Sequence, residues 1–119
     1  MSNTIPANFL KAHRRKSGLT QREVAAILGC ADSGIISRYE RSRHLPPLLV
    51  ALAFEALFRA PVSKLFAGVY EGINQSVEQK LGSLRQDLQG RSGKGSGFAL
   101  TERSLLWLKE RQSAELSHN

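Results

Sequence analysis

The sequence predicts an all-α fold in which five short helices are followed by a longer helix, a flexible linker and a final helix. Apolar residues recur at spacings of three and four along most of the chain, which is the period of a helix and not the alternation of a strand. Capping residues, glycines and prolines separate these runs at short intervals. The 119 residues, 41% of them hydrophobic and 23% charged, have the composition of a soluble globular protein.

The first two helices are marked by capping signals. Asn8 can cap a first helix, which ends near Gly18. Thr20 and Glu23 form a capping box, in which the hydroxyl and the carboxylate each accept a hydrogen bond from the backbone N–H of the other residue. The second helix therefore begins after Thr20, and Gly29 ends it.

The third and fourth helices follow two further boundary signals. Asp32 is a cap candidate for a third helix over about residues 33–41, in which Ile36 and Tyr39 share one face. Pro47 suits the first turn of a fourth helix. A short fifth helix completes this half of the chain. The apolar stripe expected in the fourth helix, of the kind that faces a core, comprises Leu48, Leu49, Leu52, Ala53, Ala56 and Leu57.

The second half of the chain is expected to be organised differently. The first domain, residues 1–68, is followed by a helix over 69–89, a Gly- and Ser-rich linker over 90–97 and an amphipathic helix over 98–119. The stripe of the longer helix either forms a coiled-coil dimer seam or packs on its own domain. The last helix either fills a groove on a partner protein or docks on its own chain or a dimer mate. The dimerisation candidates are Tyr70, Asn74, Val77, Leu81, Leu84 and Leu88, and the partner-binding candidates are Leu105, Trp107 and Leu108.

Positive charge is concentrated in the first part of the chain. The formal net charge is +7. Residues 1–70 contain ten Lys and Arg against four Asp and Glu, whereas residues 71–119 contain seven against six. This asymmetry predicts a polyanionic partner for the N-terminal part. Nucleic acid is the first choice, and an anionic membrane surface is the second.

The residue inventory argues against several classes of protein. Cys30 is the single cysteine, which excludes an internal disulfide framework and a multi-cysteine zinc site and fits a reducing cytoplasm. The longest nearly apolar run, residues 45–58, is too short to span a bilayer and contains Glu55. No arrangement of residues indicates catalysis, so we expect no enzyme activity, no metal and no cofactor.

Two helices joined by a tight turn within a small helical domain are the parts of a helix-turn-helix DNA reader. Ala25 is small at the point where the two helices must cross closely, and Gly29 lets the chain reverse with a positive φ. In residues 18–29 and 36–41 the sequence resembles the lambda-repressor/Cro-type, or XRE-type, helix-turn-helix family. The resemblance covers about residues 9–67.

The resemblance implies that the third helix is a recognition helix that enters the major groove of DNA. With Ile36 as the buried anchor, the exposed face of this helix carries Ser33, Gly34, Ser37 and Arg38. The family positions that commonly face base edges correspond to Ser33, Gly34 and Arg38. Arg38 is the strongest candidate, because a guanidinium can pair bidentately with guanine.

The same resemblance assigns contacts with the DNA backbone. Gln21 matches the family glutamine that contacts a phosphate and buttresses the recognition helix. The backbone N–H groups near Thr20 and Gln21 form a positive helix end that suits a phosphate. The further candidates for phosphate contacts are Lys11, Arg14, Arg22, Arg41 and Arg43.

The sequence thus predicts a transcriptional regulator that binds double-stranded DNA sequence-specifically and acts as a homodimer on inverted half-sites. The alternative is an antitoxin-like or other protein-interaction module, in which the C-terminal helix binds a partner protein. A role at a membrane surface ranks third, because the basic residues lie on short helices without one continuous apolar face.

Overall fold

The computed structural model describes residues 4–91 and 98–117, with side chains described over 4–90 and 101–114. Over these ranges the regular secondary structure is entirely helical, as predicted. The chain divides into two compact units, Met1–Ile73 and Asn74–Asn119. The helices are α1 (Leu10–Ser17), α2 (Gln21–Leu28), α3 (Ser33–Glu40), α4 (Leu48–Phe58), α5 (Val62–Leu65), α6 (Ala67–Arg91) and α7 (Phe98–Ser117).

The first unit has a core to which each of its short helices contributes at least one buried side chain. Phe54 of α4 lies near the centre, edge-on to Tyr39 of α3 at 6.3 Å and stacked on Phe58 at 6.1 Å between ring centroids. The side chains that are buried essentially completely are Leu10, Val24, Ile36, Phe54 and Leu65. This shared core fixes the relative positions of the short helices.

The turn between α2 and α3 follows the predicted pattern. Val24 and Ala25 are buried in the same core as Ile36 of α3. Gly29 has a φ of 72°, in the left-handed region that glycine adopts without a steric penalty. The N–H of Cys30 donates to the carbonyl of Ala25 at 2.8 Å, which satisfies an acceptor at the end of α2.

The orientation predicted for α4 is wrong for its first three leucines, whereas Leu57 is half-buried against the core as expected. Leu48 and Leu49 are 72% and 79% exposed, and Leu52 is also exposed. The buried residues are instead Ala51 and Phe54. α4 is apolar on more than one face, so periodicity alone could not choose between its faces. The face with Phe54 is buried because an aromatic ring removes a large apolar area from water.

The bounds of two elements also differ from expectation. Pro47 is the residue that precedes α4 and not part of its first turn. The helix predicted over 69–89 is observed as α6, which begins at Ala67 and continues to Arg91. α6 thus includes the first two residues assigned to the linker, and residues 92–97 of that linker lie outside the described residues.

The second unit pairs the greater part of α6 with α7. Nη2 of Arg111 lies 2.6 Å from Oε1 of Glu78. Glu78 stands 13 residues before the end of α6 at 91, and Arg111 stands 13 residues after the start of α7 at 98. In a parallel pair this contact would place residues 91 and 98 about 40 Å apart, farther than the seven residue steps between them can reach, so the two helices run antiparallel. Leu88 and Leu108 are buried in this unit.

Candidate nucleic-acid interface

The start of α3 is fixed by its cap. Oδ1 of Asp32 accepts a hydrogen bond from the N–H of Ile35 at 3.2 Å, as the sequence predicted for this position. A Cβ at Gly34 would lie only 2.8 Å from the same oxygen. Gly34 therefore allows the capping carboxylate to lie close to the helix, a role that sequence reasoning did not assign to it.

The two faces of α3 differ sharply in exposure. Ile36 and Tyr39 are buried, and burial raises the pKa of the Tyr39 hydroxyl. Arg38 is exposed on the opposite side. Its Nη1 lies 3.6 Å from the point where a Cβ of Gly34 would stand, so the side chain runs back along the helix toward the N-terminus. The remaining predicted base-contacting residues, Ser33 and Ser37, are half-buried, as is Gly34.

The end of α3 is held by Glu40. Its carboxylate accepts from Nε and Nη2 of Arg14 on α1, at 2.6 and 3.2 Å. It also accepts from Nε2 of Gln21 on α2 at 3.0 Å. The Glu40 hydrogen bond raises the pKa of Arg14 above its ordinary value. A single carboxylate thus joins α1 and α2 to the end of α3, and Gln21 contacts α3 as the resemblance implied.

A second anchor joins the N-terminal segment to the same end of α3. Nδ2 of Asn8 donates to the carbonyl of Tyr39 at 2.8 Å, while its Oδ1 accepts from the N–H of Leu10 at 2.9 Å. The hydroxyl of Ser42 donates to the carbonyl of Pro6 at 3.0 Å. Ser42 has a φ of 58°, a conformation that costs free energy in a non-glycine residue. The sequence predicted Asn8 as the cap of α1, but the residue at the cap position is Phe9, and Asn8 accepts only from the N–H of Leu10 beyond it. The contact of Asn8 with α3 was not predicted.

The start of α2 is also ordered by its side chains. The N–H of Glu23 donates to Oγ1 of Thr20 at 3.0 Å, and the N–H of Thr20 donates to Oε1 of Glu23 at 2.9 Å. The predicted capping box is confirmed. The bond from the Thr20 N–H lowers the pKa of Glu23.

The predicted phosphate-contacting side chains fall into two groups. Lys11, Arg22, Arg41 and Arg43 are exposed. Arg14 is half-buried, and its guanidinium donates to Glu40 and, through Nη1, to the carbonyl of Leu19 at 3.1 Å. The phosphate contacts of all five stay predictions, and Arg14 has a structural role besides.

The residues predicted for dimerisation and partner binding lie on two different faces of α6 and α7. Tyr70, Val77, Leu84 and Trp107 are exposed, whereas Leu88 and Leu108 are buried and Asn74, Leu81 and Leu105 are half-buried. The uses assigned to them stay predictions. In the part of the chain that the structure describes, no cluster of His, Cys, Asp and Glu could hold a metal ion. No helix among the described residues is long and apolar enough to cross a membrane.

The N-terminal part of the chain is similar to a known protein family. Residues 7–65 match a family model described as a helix-turn-helix domain. No curated protein and no solved structure matches the chain. The matched range covers α1 to α5 and contains the α2–turn–α3 arrangement. The first unit therefore contains a helix-turn-helix domain, while DNA binding and the narrower lambda-repressor/Cro type stay predictions.

Proposed function

We propose that the chain is a sequence-specific regulator of transcription that binds double-stranded DNA through a helix-turn-helix domain of the lambda-repressor/Cro type. α3 enters the major groove, and two copies bind inverted half-sites about 34–36 Å apart. A dimer is required because a single module of this size buries too little surface for tight specific binding. Its place of action is the cytoplasm.

The observation that carries this proposal is the contrast between the two faces of α3. Ile36 and Tyr39 hold one face in the core, and Glu40 and Asp32 fix the two ends of the helix. The other face presents Arg38. A rigid helix with an exposed guanidinium matches the requirement of major-groove reading, in which bidentate pairs discriminate guanine from other bases.

Charge supports the same function. Lys11, Arg22, Arg41 and Arg43 are exposed and lie within the first unit, where the excess of basic residues is concentrated. Each phosphate that such a side chain neutralises releases counterions, so affinity falls steeply as salt increases. We propose that these residues position the domain through phosphate contacts, while α3 selects the sequence through base contacts.

The proposal is tested by selecting bound duplexes from a random DNA pool, at about 50 mM and about 200 mM salt. The expected result is one recurrent inverted repeat at both salt concentrations, with much lower total binding at the higher one. Binding at low salt without an enriched sequence would show that the chain binds DNA through charge alone and does not read its sequence. That outcome would overturn the proposal.

A further inference from the structure

α6 and α7 meet along a seam inside the second unit. The Glu78–Arg111 contact and the burial of Leu88 and Leu108 together set the register of the antiparallel pair. Leu84, six residues after Glu78, then lies about level with Leu105, six residues before Arg111. Trp107 consequently lies at a level between Val77 and Leu84. The seam residues, which are buried or half-buried at spacings of three and four, are Asn74, Glu78, Leu81, Arg85 and Leu88 on α6 and Thr101, Leu105, Leu108 and Arg111 on α7.

One side of this pair is apolar and exposed. Val77 and Leu84 are each 42% exposed, and Trp107 is 54% exposed. Val77 and Leu84 precede the seam residues Leu81 and Leu88 by four, and Trp107 precedes Leu108 by one. On a helix with about 3.6 residues per turn, both offsets point to the same flank of the seam. Because the helices are antiparallel, the two flanks lie on one side of the pair, which we call the hairpin face.

Charged residues border the hairpin face in a definite order. On α6, Lys80 lies three residues after Val77, and Asp87 lies three after Leu84. On α7, Arg103 lies four residues before Trp107, and Glu110 lies three after it. All four charged side chains are exposed. Each helix therefore runs from a basic to an acidic residue along the border of the face.

This order makes the hairpin face complementary to itself. If α6 of one copy packs antiparallel against α7 of another in the same register, Lys80 comes within one residue of the level of Glu110. Asp87 comes equally close to the level of Arg103. Opposite charges then meet at both borders, and Trp107 lies over the space between Val77 and Leu84 of the copy. A partner without this charge order would not be matched in the same way.

We propose that the hairpin face binds the hairpin face of a second copy of this chain, around a two-fold axis parallel to α6 and α7. The product is a four-helix bundle in which each α6 contacts α7 of both copies. The exposed apolar side chains become its core, and the Lys80–Glu110 and Asp87–Arg103 pairs form its rim. The inference rests on the proposed function for the role of the dimer on DNA, but its test contains no DNA.

The first test is the molar mass of the full chain by sedimentation equilibrium over a range of concentrations. A dimer of twice 13.1 kDa is expected. Because Trp107 is the single tryptophan, its fluorescence should shift to shorter wavelength as the dimer forms. Trp107→Glu should raise the dissociation constant at least about tenfold without loss of helical circular dichroism.

The matched control is Leu106→Glu, which places the same charge on the neighbouring residue of α7, 57% exposed and turned away from the seam. It should leave the dissociation constant within about threefold of wild type. A concentration of about 100 µM is well above the nanomolar to micromolar dissociation constants of specific complexes. A wild-type chain that stays monomeric at this concentration would therefore overturn the inference. So would a dimer that tolerates Trp107→Glu and is lost in Leu49→Glu, on the exposed face of α4.

A charge exchange tests the arrangement of the two copies. Lys80→Glu and Glu110→Lys should each weaken the dimer, because each places like charges together at the border. The double variant should restore the dissociation constant, since the pair is re-formed with reversed sign. A double variant as weak as the single ones would contradict this pairing.

Failure of the bundle can be distinguished from failure of the proposed function. If the chain is monomeric without DNA and still selects an inverted repeat, the bundle is refuted while the DNA-reading function stays intact.

Discussion

Glu40, the last residue of α3, accepts hydrogen bonds from Arg14 on α1 and Gln21 on α2, with donor–acceptor distances of 2.6 and 3.0 Å. The contact links α3, the proposed recognition helix, to the two helices that precede it. We expect Glu40→Ala to lower the free energy of unfolding by about 2 kcal/mol, because the half-buried Arg14 loses its carboxylate partner. Urea denaturation measures this change. Glu71→Ala, at an exposed position of α6, should stay within about 0.5 kcal/mol of wild type.

An equal effect of the two substitutions would show that Glu40 does not hold the helices together. A second readout separates anchoring from stability alone. If Glu40 positions α3, Glu40→Ala should weaken binding to the selected duplex more than to a random duplex at a temperature where the variant is fully folded.

Two glycines should respond to alanine in opposite directions. Gly29 has a φ of 72°, where an L-residue pays a steric penalty, so Gly29→Ala should destabilise the fold by about 1 kcal/mol. Gly72 lies within α6, with open space where a Cβ would stand. Gly72→Ala should stabilise by about 1 kcal/mol through helix propensity. Midpoints of urea unfolding that move in the same direction for both would contradict the assigned backbone conformations.

The Thr20–Glu23 capping box should make part of the stability depend on pH. The N–H of Thr20 lowers the pKa of Glu23 in the folded chain below its unfolded value. The contribution is therefore fully present above the unfolded pKa and is lost as the pH falls through the folded pKa. Glu23→Gln should flatten the loss of stability between about pH 6 and about pH 3, near the ordinary carboxyl range. Glu71→Gln serves as the control. If the stability of Glu23→Gln fell with decreasing pH in the same way as that of the wild type, the capping box would not contribute to the pH dependence.

The helical architecture of the first unit could largely be predicted from local signals. The capping box at Thr20, the cap at Asp32 and the glycine at 29 act within a few residues, so the sequence displays them directly. The Glu40–Arg14 pair joins residues 26 positions apart, and no periodic pattern marks it. The contact of Asn8 with Tyr39 spans 31 positions and is equally invisible in the sequence.

The orientation of α4 shows a different obstacle. Leu49 continues a regular leucine stripe, yet it is exposed, and Phe54 takes the buried position. When a helix is apolar on several faces, tertiary packing decides which face is buried, and here Phe54 packs against Tyr39 of α3. Tertiary packing also separates the residues of the predicted dimer seam into two sets. Leu88 is buried in the second unit, while Leu84 is exposed.

The corrected orientation of α4 predicts a large difference between two substitutions. Leu49→Lys should leave the free energy of unfolding within about 0.5 kcal/mol of wild type, since the side chain is 79% exposed. Phe54→Ala should cost about 3–5 kcal/mol through the cavity left in the core. Thermal or urea unfolding measures both. If Leu49→Lys destabilised the fold as much as Phe54→Ala, the leucine face of α4 would be the buried one, contrary to the structure.

Arg38 is the residue through which we propose that α3 reads DNA bases. The most direct test of this proposal is to repeat the random-pool selection in parallel with the wild-type chain, Arg38→Ala and the control Arg43→Ala. Arg38→Ala should lose the preference for guanine at one position of each half-site, while the other positions keep their preferences. Its binding free energy for the wild-type sequence should be less favourable by about 1–3 kcal/mol. Arg43→Ala should select the wild-type sequence with weaker binding overall. A guanine preference that persists unchanged in Arg38→Ala would contradict the account.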